Sequence, residues 1–257
     1  MNNDRQLQIL QLLDTKGEVQ LQQLRELFPD VSVMTLRRDL IALEAESRLI
    51  RTHGGAVSHK KLSISGVVNG EEDSYSRRAS DNVEAKLKIA DKSIELVEKG
   101  RSIYFDAGST IMCLARILED DSYSIFTSGA NIALELVKKL RTSVVLLGGL
   151  VNRNTLSTSG PDAMSSLDNV NIDTAFMASS GYSIDSGFTV SNIYECELKR
   201  KIIKRARKVI LLMDTSKVNK NLPFTYATLD DIDIWVTETA LPQEIVIEAK
   251  KAGTTLL

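Results

Sequence analysis

Ser32-Val33-Met34-Thr35-Leu36-Arg37-Arg38-Asp39-Leu40, followed shortly by Arg51-Thr52-His53-Gly54-Gly55-Ala56, is the stretch from which the rest of the chain can be read. Ser32 is a helix N-cap residue, because its hydroxyl can accept a hydrogen bond from an unpaired backbone N–H at the helix start. From there Val33, Leu36, Leu40 and Leu43 recur at helical spacing and predict one buried face. At about 100° per residue the opposite face carries Met34, Thr35, Arg38 and Ala42, with Arg37 on its shoulder. A short helix with one buried side and guanidinium, hydroxyl and sulfur groups on the other suits a nucleic-acid groove. Arg matches the paired acceptors on a guanine edge, and Thr can contact bases or phosphates.

Working outward, Arg5, Ile9, Leu12 and Leu13 mark a first amphipathic helix ending near Lys16-Gly17. Leu21, Leu24, Leu27 and Phe28 mark a second, stopped by Pro29, which has no N–H to continue a helix. Behind the Ser32 helix, Leu49-Ile50-Arg51 and Ala56-Val57 can pair as two strands, with Gly54-Gly55 allowing the reversal. Order, spacing and turn chemistry together predict a winged helix-turn-helix over residues 1–57. The expected DNA contacts are Met34, Thr35, Arg37 and Arg38 on the recognition helix and Arg51 and His53 on the wing.

This region resembles the amino-terminal domain of the DeoR family of bacterial transcriptional regulators. The matching residues are Arg5, Ile9, Thr35-Leu36-Arg37-Arg38-Asp39-Leu40 and Arg51-Thr52-His53-Gly54-Gly55-Ala56. Pro29-Asp30 lengthens the turn before Ser32 by a residue relative to the family's pattern.

Composition sets limits that agree. The chain has 257 residues, 43% of them hydrophobic, enough for one small and one larger domain with a sizeable core. No apolar run approaches the ~18 residues of a membrane span, and the start lacks the apolar core of a secretory signal, so a cytoplasmic protein without membrane contact is expected. The two cysteines, Cys113 and Cys196, are far apart and fit neither a disulfide framework nor a metal site. No cofactor is called for. A net charge of −2 argues against coating nucleic acid through bulk electrostatics. Basic charge is local instead: from Arg48 to Lys61 there is no acidic residue, and both histidines, His53 and His59, fall there. Phosphate contacts from such a cluster position a protein on DNA without reading its sequence.

Residues 58–82 are rich in Ser, Gly and charge and read as a linker. A long helix is expected over Val83 to Lys99. Beyond it, strand candidates Ser102–Phe105, Ser124–Phe126, Val144–Leu147, Thr174–Ala178, Val209–Met213 and Ile232–Val236 alternate with helix candidates starting near Ile111, Ile132, Asp162 and Ile193, and with one from Pro242 to Ala252. Residues 83–257 are therefore expected to form an α/β domain with a mainly parallel sheet covered on both faces.

In such a sheet, ligands sit beyond the carboxyl ends of the strands. Four strand-end loops carry glycines, hydroxyls and two cations, pointing to a small anionic ligand. They supply Asp106, Gly108, Ser109 and Thr110; Thr127; Gly148 and Gly149, with Arg153 nearby; and Lys217. A helix N-terminus after Gly108 adds N–H groups and a favourable dipole.

Residues 82–257 also resemble the DeoR family's sensor domain, through Asp106-Ala107-Gly108-Ser109-Thr110, Leu147-Gly148-Gly149, Asp214-Thr215-Ser216-Lys217 and Asp233-Ile234-Trp235-Val236-Thr237. Where the family's loops often carry Asn after the second threonine, this chain has Ser128. The resemblance implies a Rossmann-like fold of the isomerase and CoA-transferase type, shared with ribose-5-phosphate isomerase and glucosamine-6-phosphate deaminase. It also implies a phosphorylated-sugar effector. The expected function is a repressor of a sugar-metabolism operon, acting on operator DNA as a homodimer or homotetramer. The alternative is a sugar-phosphate isomerase or deaminase. Such chemistry needs a placed carboxylate base, and Ser179-Ser180-Gly181-Tyr182, where those enzymes carry an acidic segment, has none. With both histidines near the wing, a Ser-His-Asp triad in the larger domain is also excluded.

Overall fold

A computed structural model describes residues 2–16, 18–45, 48–52, 54–57 and 74–257. His53, His59, Lys60 and Lys61 lie outside the described residues, as does the expected linker up to residue 73. The chain divides into two units, Met1–Gly70 and Glu71–Leu257. Among the described residues no helix is long and apolar enough to cross a membrane.

In the first unit, α1 (Asn2–Lys16), α2 (Leu21–Leu27) and α3 (Val33–Ala45) surround a core of Ile9, Leu13, Leu24, Leu36, Leu40 and Leu43. α2 ends at Phe28, just before Pro29. The wing strands β2 (Ile50–Thr52) and β3 (Gly55–Val57) form antiparallel, as their spacing predicts. A strand the sequence did not announce, β1 (Glu18–Gln20), pairs with β3 to complete the sheet order β1-β3-β2. This pairing explains Gly55, where an added Cβ would sit 2.0 Å from the Val19 carbonyl oxygen.

The second unit opens with a departure from expectation. Residues 75–80, within the expected linker, form a short helix, α4 (Tyr75–Ser80). The next helix, α5 (Val83–Ser93), stops before Lys99 and tightens into a 3-10 turn over Ile94–Leu96. Ser93 contributes, because its buried hydroxyl donates back to the Ile89 carbonyl, a local bond that competes with regular helix.

Seven parallel strands then build the main sheet, in the order β15-β14-β12-β9-β4-β5-β6. In chain order they and the intervening elements run β4 (Ser102–Phe105), α6 (Ser109–Ile117), β5 (Ser124–Thr127), α7 (Ala130–Leu136), β6 (Ser143–Leu146), β7 (Leu150–Asn152), β8 (Ser157–Ser159), α8 (Pro161–Ser166), β9 (Ile172–Ala178), β10 (Gly181–Ser183), β11 (Gly187–Val190), α9 (Ile193–Arg205), β12 (Ala206–Leu212), β13 (Phe224–Ala227), β14 (Ile234–Val236), α10 (Gln243–Ala252) and β15 (Thr255–Leu256). The sheet's central strands are buried on both faces, which is why they read as continuous apolar runs. One face packs around Tyr104, Met177, Tyr182, Phe188, Leu211 and Trp235; the other around Ile103, Phe105, Ile125, Phe176 and Ile210.

Two small antiparallel sheets, β10-β11-β13 and β7-β8, were not anticipated. Their strands are three or four residues long, and one of them, Ser157–Ser159, is wholly buried and polar. Neither property leaves an alternating apolar pattern to find.

The chain passes from β4 outward through β5 to β6, then returns to place β9 on the other side of β4. The strand order therefore reverses between β4 and β9. That reversal is where ligands bind in open α/β sheets.

Candidate nucleic-acid interface and effector site

α3 starts as its sequence dictates. Ser32 Oγ accepts a hydrogen bond from the Thr35 amide at 3.2 Å and lies 2.9 Å from Thr35 Oγ1. Thr35 is half-buried and its hydroxyl is engaged in the cap, so it shapes the helix start as well as facing outward. Met34, Arg37 and Arg38 are exposed, whereas Leu36, Leu40 and Leu43 are buried. Asp39 is turned inward and buried, where Arg5 Nε donates to it at 2.5 Å. That bond and the nearby carboxylate raise the Arg5 pKa, against a smaller opposing effect of burial. The Arg-Arg-Asp run thus divides its labour: two cations face out, and the acid fixes α3 to α1.

The wing holds a feature hidden from sequence. Arg51 is exposed, but its Nε donates to Glu44 Oε2 at 2.6 Å and its amide to Glu44 Oε1 at 3.0 Å. These bonds hold the Glu44 carboxyl below the usual carboxylate range. The acid-free stretch from Arg48 onward therefore meets an acid supplied by α3. The Leu21 amide donates to the Gly54 carbonyl at 2.7 Å and pins the wing turn to the start of α2.

In the second unit, the loop after β4 lies at the strand-order reversal, and its acid is its anchor. Asp106 is buried; Oδ1 accepts from the Ala107 amide and Oδ2 from the Ala178 amide, both at 2.9 Å. Oδ2 also accepts from the buried ammonium of Lys199 on α9. Lys199 donates to the Ala178 carbonyl at 3.0 Å, approaches Glu195 Oε1 at 3.3 Å, and sits 5.3 Å from the centre of the Tyr226 ring. Burial pulls its pKa down, but Asp106 and Glu195 outweigh this and raise it above the ordinary lysine value. Asp106 is thus a staple across β4 and β9.

Ser109 and Thr110 begin α6 and are both buried. Thr110 Oγ1 is buried without a hydrogen-bond partner, a costly arrangement that calls for an explanation. Lys217, in the loop after β12, donates from Nζ to the Ser179 carbonyl, just past β9, at 3.0 Å and lies 3.8 Å from Asp214 Oδ2. Burial favours a neutral Asp214, yet Lys217, Ser216, Lys86 and Asn82 together hold its pKa below the ordinary value.

The other expected residues end or follow β5, β6 and β7. Thr127 is one strand away and fully buried, its hydroxyl accepting from the Gly129 amide at 3.0 Å. Ser128 accepts from the Tyr104 hydroxyl at 2.7 Å. Gly148 and Gly149 follow β6, two strands from β4. Gly149 has φ +119°, and a Cβ there would lie 2.4 Å from the Ser159 carbonyl oxygen, so the backbone path accounts for it. Arg153 is exposed in the β7–β8 turn. Asp106, Ser109 and Thr110 thus share the loop and helix start after β4, Thr127 ends the neighbouring strand β5, and Lys217 is tied through Ser179 to the end of β9, whereas Gly148 and Gly149 follow the edge strand β6 and Arg153 lies in the β7–β8 turn.

Three contributors were missed. Lys199 lies in the charged run Glu195-Cys196-Glu197-Leu198-Lys199-Arg200-Lys201, where only its i+4 relation to Glu195 could have drawn attention. Asn82 adopts a left-handed conformation (φ 50°) and its Nδ2 donates to Ser216 Oγ at 2.8 Å and Asp214 Oδ1 at 3.3 Å. Lys86, buried and with its pKa lowered by burial, donates to the Arg78 and Asp81 carbonyls and so ends α4. Because the Tyr75 amide donates to the Asn154 carbonyl at 2.6 Å, residues 75–86 run from the β7–β8 turn to the β12 loop. Both cysteines are buried and unbridged, and burial pushes their thiols up in pKa.

Comparison with known proteins agrees with both halves. Residues 5–62 match the family model for the DeoR-like helix-turn-helix domain, and residues 81–239 match that for the DeoR C terminal sensor domain. The HTH-type transcriptional regulator GolR of Listeria innocua is 32% identical over 97% of this chain and 96% of its own. A putative aga operon transcriptional repressor of Escherichia coli O157:H7 is 27% identical over 99% of this chain and 93% of its own. Among solved structures, ribose 5-phosphate isomerase A of Methanocaldococcus jannaschii aligns with a TM-score of 0.41 at 19% identity, over 55% of this chain and 57% of that one.

Proposed function

From the premise that this chain belongs to the DeoR family of helix-turn-helix transcriptional regulators, we propose that it is a cytoplasmic repressor of a sugar-metabolism operon. In this reading residues 1–57 bind operator DNA, and a phosphorylated sugar bound by residues 83–257 releases it. Met34, Arg37 and Arg38 meet base edges, while Arg51 and His53 meet phosphates. Similarity to a putative aga operon repressor supports the sugar-operon assignment.

One observation carries the effector site. At the reversal between β4 and β9, the buried Thr110 hydroxyl has no partner, at a helix N-terminus. A phosphate there would take N–H groups of α6 and the Thr110 hydroxyl, with Lys217 turning from Ser179 to meet its charge. Asp106 fixes the loop rather than touching phosphate. The same geometry favours a sensor over an enzyme, since Asp106 is held as an acceptor by Lys199 and two amides and is not available as a base.

Residues 75–86 give the signal a way out. They contact the β12 loop through Asn82, pack on α6 through α4, and lead back to the DNA-binding unit. A ligand changes DNA affinity only by its preference for one arrangement over another, and couplings of ~1–3 kcal/mol weaken operator binding roughly 5- to 150-fold. Two copies would serve paired half-sites.

The test is fluorescence anisotropy with promoter DNA from the gene's own neighbourhood, titrated with a panel of phosphorylated pentoses and hexoses. One member should raise the apparent Kd for this DNA and be recovered chemically unchanged. Turnover of that sugar phosphate would replace the sensor reading with the enzyme one.

A further inference from the structure

The two edges of the main sheet are treated differently. At one end β15 is two residues long, Thr255–Leu256. At the other, β6 has four residues, Ser143-Val144-Val145-Leu146, with no charge, proline or glycine, and no described strand beyond it. Monomeric proteins blunt a sheet edge with lysines, prolines, bulges or brevity. β15 is blunted by brevity; β6 has none of these.

The free side of β6 can be read from its hydrogen bonds. The amides of Ser143 and Leu147 donate inward, to Tyr123 and Thr127. Backbone groups alternate sides along a strand, so the N–H and C=O of Val144 and Leu146 point away from the sheet. Val145 and Leu146 are each more than two-fifths exposed.

Apolar surface continues from this edge onto α7. Lys139, just past α7, donates to the Leu118 carbonyl just past α6, so the flank of α7 carrying Glu135 faces α6. At about 100° per residue, Val137 at the helix end falls on the other flank, whereas Leu134 lies opposite the buried Ile132 and Leu136 and faces water. Leu134 is 69% exposed and Leu140, just past the helix, 92%. Leu150 on β7 is also exposed. Val137, Leu140, Val145, Leu146 and Leu150, in and beside β6, leave roughly 500 Å² of apolar residue surface in water, in the upper part of what a monomer exposes in one patch and often functional. That is more than half of the ~800 Å² per partner of a standard interface.

We propose that this edge is the interface between two copies of the chain, with β6 pairing antiparallel to its own counterpart across a two-fold axis. Such an interface uses the same patch on both partners. A two-fold at Val145 sets Val144 opposite Leu146 of the other copy, so each such pair exchanges both backbone hydrogen bonds. Val145 then faces itself at a non-hydrogen-bonded position, where side chains are closest, and the two main sheets become one. This places an interface within the reading that two copies serve paired half-sites.

Self-opposition at Val145 gives a direct test by sedimentation of the full chain. Wild type should sediment as a dimer or a multiple of one. Val145→Lys and Val145→Glu should each shift it toward the 28.4 kDa monomer, because like charges directly opposite are destabilising. An equal mixture of the two variants should recover dimer. Leu140→Glu, at the most exposed position, should weaken association alongside them, and unchanged Trp235 fluorescence melting would show each variant folded. If wild type is a monomer, both this proposal and the pairing of copies fail. If wild type is a dimer and both Val145 variants keep its mass, only the β6 interface is overturned.

Discussion

Replacing Lys199 by Met tests whether the buried pair at the strand-order reversal organises the effector site. Lys199 and Asp106 are both almost completely buried. Met conserves the aliphatic stem but deletes the ammonium, leaving the buried Asp106 without its cation. Removing one partner of a buried pair costs about 3–5 kcal/mol. Asp106 keeps two amide donors, from Ala107 and Ala178, which continue to stabilise its charge. The lower end, about 3 kcal/mol, is therefore expected. Trp235, the chain's one tryptophan, is fully buried in the second unit, so its fluorescence follows that unit's unfolding. With a urea m-value of ~2–3 kcal/mol/M, the midpoint should fall by about 1–1.5 M. Asp106→Asn with Lys199→Met should cost less than the sum of the single changes, since paired residues couple. The linkage to pH has a definite sign. Lys199 has a raised pKa in the folded state, so its contribution is complete below the ordinary lysine value of 10.5 and is lost only as pH climbs beyond it. A midpoint change under ~0.3 M, or strict additivity of the two substitutions, would refute this account of the staple.

Three further outcomes are expected. Arg38→Ala should reduce discrimination between operator and scrambled DNA by ~1–3 kcal/mol in binding titrations, with little change on scrambled DNA alone; an unchanged ratio would remove Arg38 from the reading face. Arg51→Ala should weaken binding to all sequences and lower the salt slope by about one phosphate contact. Glu44→Gln, which frees Arg51 from its ion pair, should steepen that slope instead; opposite signs for these two variants are the diagnostic result. Thr110→Val removes a buried hydroxyl that has no partner, so the unliganded protein should be as stable as wild type or more so. Its thermal shift with the cognate sugar phosphate should shrink, and Lys217→Ala should leave ligand-free operator binding intact while making it insensitive to that sugar. A destabilised Thr110→Val with undiminished ligand response would show the hydroxyl to be structural.

Local chemistry alone determined much of this protein. Ser32 before a helical apolar repeat, Pro29 after α2 and Gly54-Gly55 between two strands state their structure through capping, a missing N–H and a tight reversal, all acting within a few residues. The central parallel strands, buried on both faces, announced themselves as apolar runs, and their loop chemistry followed in sequence. What tertiary structure decided was every relation between residues far apart in the chain. Asp39 with Arg5, Arg51 with Glu44 and Asp106 with Lys199 are pairs of ordinary charged residues until folding sets them side by side. Which strand-end loops lie beside the Asp106 loop depends on which strands become neighbours. The strands are joined by helices whose lengths do not specify that order, so burial of two apolar faces selects it. Charged groups then acquire their roles from the dielectric and partners they find there.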